Sequence, residues 1–196
     1  DEFGFDSPES TGLDTVYSIQ SMHEGKSKVF IALGGNFASA ASDTEYTMNA
    51  IRKCDLTVQI STKLNRSHLV TGKTALILPT LGRSEKDIKN GNHRVVTVEN
   101  SMGKVHTSEG HLNPASDVLM SEPEIVAHIA DSTLGDKVNV KWLELASDYA
   151  LIRDKIAMVV KGFNNLKQRL EGSGFYLPNT TRTGDFSNMP EGRAKF

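Results

Sequence analysis

The chain has 196 residues, 38% of them hydrophobic and 23% charged, with a formal net charge of -2. That is an ordinary globular composition with room for one substantial domain or two small ones, and it gives no basic footprint for nucleic acid or an anionic membrane surface. No apolar run approaches the roughly 20 residues a membrane-spanning helix needs, and the single cysteine excludes an internal disulfide framework and a cysteine-rich metal site.

The opening residues Asp1, Glu2, Phe3 and Gly4 lack the basic and apolar stretches of a secretory signal. A start without Met is what a cut or processed chain would show. Leu13, Val16, Ile19 and Met22 then recur at helical spacing, and Gly25 stops the run. The apolar run 29–33 (VFIAL) has strand length and predicts a strand buried on both faces, ending at Gly34, Gly35 and Asn36. A second helix follows, with Asp43 or Thr44 as N-cap and Tyr46, Thr47, Ile51 and Cys54 turned inward. Cys54 there reads as a small buried hydrophobe rather than a reactive thiol, and a reduced thiol suits the cytoplasm. Strands are predicted over 56–60 and 75–78, separated by a polar stretch from Ser61 to His68. Strand, helix, strand, loop, strand is the pattern of a parallel sheet with helical crossovers.

Beyond Pro79 the pattern changes. Residues 94–98 and 104–107 flank Asn100–Gly103 as a hairpin or surface excursion. The SEPE segment 121–124 is a capping box for a helix carrying Ile125, Val126 and Ile129, closed by Gly135. A later helix has Tyr149, Ile152, Ile156, Val159 and Val160 on one face. From Gly172 onward Gly, Asn, Thr and Pro dominate, and the segment is expected to be loosely held.

In an open parallel sheet, ligands bind outside the carboxyl ends of the strands. Gly34 and Gly35 would let a ligand approach the backbone closely, and Asn36 offers both a donor and an acceptor. Gln59 and Ser61 stand at the second strand end and Thr80 at the third. Together they could grip a base, ribose or phosphate, although Gly and Asn are equally plain turn residues. The glycines do not form G-x-G-x-x-G, and no P-loop, G-x-S-x-G or H-E-x-x-H is present. His93, His106 and His111 share a polar region without a zinc-site spacing. Glu85 and Asp87 read as solvated loop charges rather than an acid/base pair.

The segments GLDTVYSIQSMHEGKSKVFIALGGNF and STKLNRSHLVTGKTALILP, with VTVENSMGKVH and the closing GFYLPNTTRTGDFSNMPEGRAKF, give the chain its most specific character. Through them nearly the whole chain resembles the molybdopterin oxidoreductase superfamily, and within it the formate-dehydrogenase-like alpha subunits. The resemblance implies a bis-molybdopterin guanine dinucleotide cofactor with molybdenum, held between two α/β domains. It places Asn36, Gln59 and Ser61 at the nucleotide portion, with Gly34 and Gly35 beside them, and it adds Thr80, Lys86 and Glu122 as positions approaching the cofactor. Glu122 has the plain alternative of a first-turn helix charge, and Lys86 that of a surface lysine. The metal ligand and any iron–sulfur cluster would lie in an earlier part of the subunit, and Cys54 does not match the ligand position. An acidic residue common in relatives after the second strand is absent here, where Ile60 and Ser61 stand.

The expected fold is therefore α/β, three-layered, with a mainly parallel sheet, helices on both faces and a loosely held C-terminal tail. Residues 1–140 would form a Rossmann-like cofactor-binding domain, and 141–196 a helical connector leading to a C-terminal β-barrel. The expected partner is the rest of the same subunit, with a small substrate such as formate for the whole enzyme and no cofactor held by the isolated fragment. The alternative is a stand-alone nucleotide-binding or interaction module without redox chemistry.

Overall fold

A computed structural model describes residues 3–4, 9–187 and 189–193. In chain order the first elements are α1 (Thr15–His23), β1 (Val29–Leu33), α2 (Phe37–Ala40), α3 (Thr44–Arg52), β2 (Leu56–Ser61) and β3 (Thr74–Pro79), with a 3-10 turn over Arg66–Leu69. Four short strands follow: β4 (Ile88–Lys89), β5 (Asn92–His93), β6 (Val96–Glu99) and β7 (Lys104–Ser108). The remainder holds α4 (Glu122–Leu134), α5 (Trp142–Ser147), α6 (Tyr149–Val159), α7 (Leu166–Leu170), β8 (Phe175–Tyr176) and α8 (Thr180–Thr183).

Two compact units emerge. The first comprises 3–86 and 110–143 among the described residues, and the second 87–109 and 144–193. The hairpin region thus groups with the C-terminal part, whereas the sequence reading kept 1–140 together.

The first unit is built on a parallel sheet in the order β1-β2-β3. In register, Val29, Leu56 and Thr74 start one row, so Val29, Ile31 and Leu33 share a face with Leu56, Val58 and Ile60. On that face α4 packs Ile125 and Ile129 against Val58, Ile60, Leu56 and Leu78. On the opposite face α1 and α3 supply Ile19, Met22, Ala50 and Ile51, packed with Phe30, Phe37, Val70 and Cys54. Helices on both faces of a parallel sheet make the three-layer α/β architecture that the alternation of elements predicts.

The helix ends follow local chemistry. Asp14 caps α1 through a bond from Tyr17 N–H, Asp43 caps α3 through Tyr46 N–H, and Ser121 caps α4 through Glu124 N–H. Cys54 is fully buried, and burial pushes its thiol pKa up, with the Asp55 charge adding to the effect. One expectation fails: β1 is not buried on both faces. Val29, Ile31 and Leu33 are half exposed, because β1 is an edge strand and α4 lies over β2 rather than over it. In α1, likewise, only Ile19 and Met22 are buried, while Val16 remains exposed, as does Leu13, which precedes the helix.

The second unit pairs β6 with β7 as the predicted antiparallel hairpin, and β7 with β8. Its centre is ionic. The Arg94 guanidinium, 6% exposed, donates from Nε to Asp87 Oδ1 at 2.8 Å, pairs with the same carboxylate through Nη2, and gives Nη1 to the Ala146 carbonyl at 2.8 Å. Tyr149 donates its hydroxyl to Asp87 Oδ2 at 2.6 Å and lays its ring beneath the guanidinium. Asp87 is thus a structural anion, not a solvated loop charge. Within the segment after Gly172, the two-residue strand β8 is tied back to β7. Phe175 pairs with Val105 in the ladder, meets Phe163 edge-on, and lies under the Arg169 guanidinium at 3.7 Å.

Candidate functional site

Parallel strands bring their carboxyl ends to one edge, and here that edge gathers most of the expected positions. Gly34 N–H donates to the Ile60 carbonyl at 2.8 Å, extending the ladder one residue beyond β1. Gly34 and Gly35 then take φ of 67° and 68°. Two successive left-handed residues turn the chain sharply off the sheet, a path that glycine takes without strain. No heavy atom lies within 4 Å of where a Cβ on Gly35 would sit, so that position stands open. A Cβ on Gly34 would lie 4.0 Å from Glu122 Oε1, which brings the first turn of α4 to the same corner.

The 3-10 turn after β2 forms the second wall. Asn65 Oδ1 accepts from Ser67 N–H and His68 Nδ1 accepts from Asn65 N–H, each at 2.9 Å, a reciprocal cap. Asn65 Nδ2 ties this turn to the Gly35 carbonyl at 2.7 Å. Ser67 Oγ donates to Asn36 Oδ1 at 2.8 Å and accepts from Ala38 N–H at 3.0 Å, and Gln59 Nε2 donates to the Ser67 carbonyl at 2.8 Å. Asn36 and Gln59 therefore fix the shape of the wall through contacts within the protein. Ser61 Oγ donates to the Lys63 carbonyl at 2.7 Å. Thr80 follows beside it, its amide on the Ser61 carbonyl at 3.3 Å and its hydroxyl on the Met120 carbonyl at 2.9 Å.

Lys86 is not drawn into this group. Its amide bonds the Leu112 carbonyl at 2.8 Å, and its ammonium faces Asn113 Oδ1 at 3.4 Å. Glu85, read as solvated, organises the same loop by accepting from Gly82 N–H and Ala115 N–H.

Between the two walls lies a shallow recess too small to enclose a water molecule, with Gly34, Gly35, Gln59, Ser61, Ser67 and His68 among its lining. No lysine or arginine lines it. The Nε2 of His68 is buried there without a hydrogen-bond partner. Sequence reasoning treated 61–68 only as a polar loop. The available signal was Asn65 followed three residues later by His68, the spacing of a reciprocal cap. In the recess the Ser67 hydroxyl engages Asn36 and the His68 ring engages Asn65, so the two do not form a nucleophile–base pair with each other. Among the described residues no group of three or more His, Cys, Asp and Glu could hold a metal ion, and no helix is long and apolar enough to cross a membrane.

Over 196 residues, its whole length, the chain is 48% identical to proteins of Mycobacterium tuberculosis and Mycobacterium bovis, each named an uncharacterized oxidoreductase. It is also 40% identical over 197 residues to Protein YdeP of Escherichia coli. The chain spans about a quarter of the length of these curated relatives. No family model matches it.

Proposed function

We propose that this chain is the part of an oxidoreductase subunit that holds one nucleotide arm of a bis-molybdopterin guanine dinucleotide cofactor. The observation that carries the proposal is the convergence of Gly34, Gly35, Asn36, Gln59, Ser61 and Thr80 on the carboxyl edge of a parallel sheet. Ligand pockets commonly bury most of the ligand's surface; the shallow groove at the strand ends gives one wall of such a site, with the remaining walls supplied by the rest of the same subunit. The relatives' names support the redox half of the proposal, and their length supports the division of labour.

When bound, the cofactor supplies two-electron redox chemistry through its molybdenum. The chain's own part is to bind and orient. The two glycines allow close approach, the Gln59–Ser67–Asn36 network keeps the wall rigid, and Glu122 offers a carboxylate at the Gly34 corner. The metal ligand, any iron–sulfur cluster and the pocket for a small substrate such as formate belong to other parts of the subunit, in the cytoplasm. The half-exposed apolar row of Val29, Ile31 and Leu33 gives that remainder a surface to cover. Purified full-length protein is expected to carry molybdenum and to release guanine nucleotide on acid denaturation. Absence of both, by elemental analysis and chromatography, would refute the proposal.

A further inference from the structure

Among the described residues β1 pairs with β2 alone, and so forms one edge of the parallel sheet. The Lys28 carbonyl accepts from Leu56 N–H at 3.1 Å, and Gly34 N–H donates to the Ile60 carbonyl at 2.8 Å. Backbone groups alternate sides along a paired strand. Residues 28, 30, 32 and 34 therefore face β2, and the N–H and C=O groups of Val29, Ile31 and Leu33 face the free edge. Edge strands are ordinarily blunted by charge, proline or a bulge. β1 has none of these: its sequence is VFIAL, and its register with β2 runs unbroken from Val29 to Leu33. The side chains of Val29, Ile31 and Leu33 are also about half exposed, on the sheet face where α4 covers β2 instead. The opposite edge differs. Just beyond β3, Leu81 N–H donates to the Met120 carbonyl at 3.0 Å and Thr80 bridges Met120 in parallel, so the chain's own backbone begins to close that edge.

We infer that β1 is an interior strand of a wider sheet, its free edge taken by a parallel, apolar strand from the polypeptide that precedes α1 in the whole protein. The chain spans about a quarter of the length of its curated relatives, which leaves ample polypeptide to supply such a strand. Handedness gives the direction. The connection from β1 to β2 runs through α3, and α1 packs on the same face of the sheet, with Ile19 and Met22 beside Ala50 and Ile51. Crossovers between parallel strands are right-handed in about 98% of cases. Two successive right-handed crossovers over one face step across the sheet in the same direction. The step through α3 goes from β1 towards β3. A strand that leads through α1 into β1 then lies on the other side of β1, against the free amides of Val29, Ile31 and Leu33.

Hydrogen exchange on the unsubstituted full-length protein, resolved to single amides, reads the edge directly. Val29, Ile31 and Leu33 should exchange as slowly as Phe30 and Ala32, which already face β2. Photo-cross-linking identifies the neighbour, with p-benzoylphenylalanine in place of Ile31 and, separately, of Val29. The expected product is intramolecular and joins β1 to a segment N-terminal to residue 1. Should neither substituted protein fold, lysine cross-linking of the unsubstituted protein from Lys28, exposed just before β1, decides between the same partners.

Fast exchange at Val29, Ile31 and Leu33 beside slow exchange at Phe30 and Ala32 overturns the inference. Cross-links only to a second copy of the protein, only to residues beyond 196, or none to the preceding polypeptide, overturn it as well. The inference is independent of the cofactor proposal, and either can fail without the other.

Discussion

Replacing Asp87 by alanine removes the anion that holds the second unit's ionic centre together. Arg94 is 6% exposed and directs two of its nitrogens at that carboxylate. Losing one member of a buried ion pair costs about 3–5 kcal/mol, because the remaining charge is left desolvated and uncompensated. The Tyr149 hydroxyl, bonded to the same carboxylate at 2.6 Å, also loses its acceptor, adding about 1 kcal/mol. The Ala146 carbonyl still takes one guanidinium hydrogen at 2.8 Å, so the expected total stays near the lower end, about 3–4 kcal/mol. Tyr149→Phe provides the contrast, since it keeps the ring under the guanidinium and the ion pair and should cost about 1 kcal/mol. Equilibrium urea denaturation followed by circular dichroism measures both. Asp87→Ala within about 1 kcal/mol of the unsubstituted chain, or less destabilising than Tyr149→Phe, would refute the argument.

Gly72→Ala should destabilise by about 1–3 kcal/mol in the same assay, because the added Cβ would fall 2.4 Å from the Cys54 carbonyl oxygen; an unchanged Tm would contradict the packing described. Asp55 and Lys73 pair at 2.7 Å on the surface, and the hydrogen bond between them lowers the Asp55 pKa and raises that of Lys73. The contribution of the pair should therefore be present between about pH 4 and pH 10, fading as pH falls through the lowered Asp55 value and as it rises through the raised Lys73 value. A small stability difference between Asp55→Asn and the parent chain that persists at pH 2, or that is unmoved by salt, would count against it. Cys54, fully buried with its thiol pKa pushed up by burial, should react with a disulfide reagent only after denaturant is added; rapid labelling of the native chain would show that the site opens.

The parallel sheet was legible because its signals are local. The run 29–33, the SEPE cap at 121–124 and the glycine stops each depend on a few neighbouring residues. What stayed hidden depends on partners distant in sequence. VFIAL resembles a fully buried strand by composition, yet its exposure is set by where α4 crosses the sheet, about ninety residues later. Asp87 looks like a loop charge until the chain returns with Arg94 and Tyr149. At the site, chain order alone identified the strand ends. It could not show that Asn36 and Gln59 are engaged with Ser67, because those roles arise from contacts spanning up to 31 residues.

Hydrogen exchange on the full-length protein, compared with and without its cofactor, tests the central claim most directly. If the strand ends hold the nucleotide arm, amides in 34–36 and 61–68 should gain protection on loading, while β6, β7 and α6 should not. Protection confined to other regions, with 34–36 and 61–68 exchanging equally in both states, would contradict the account.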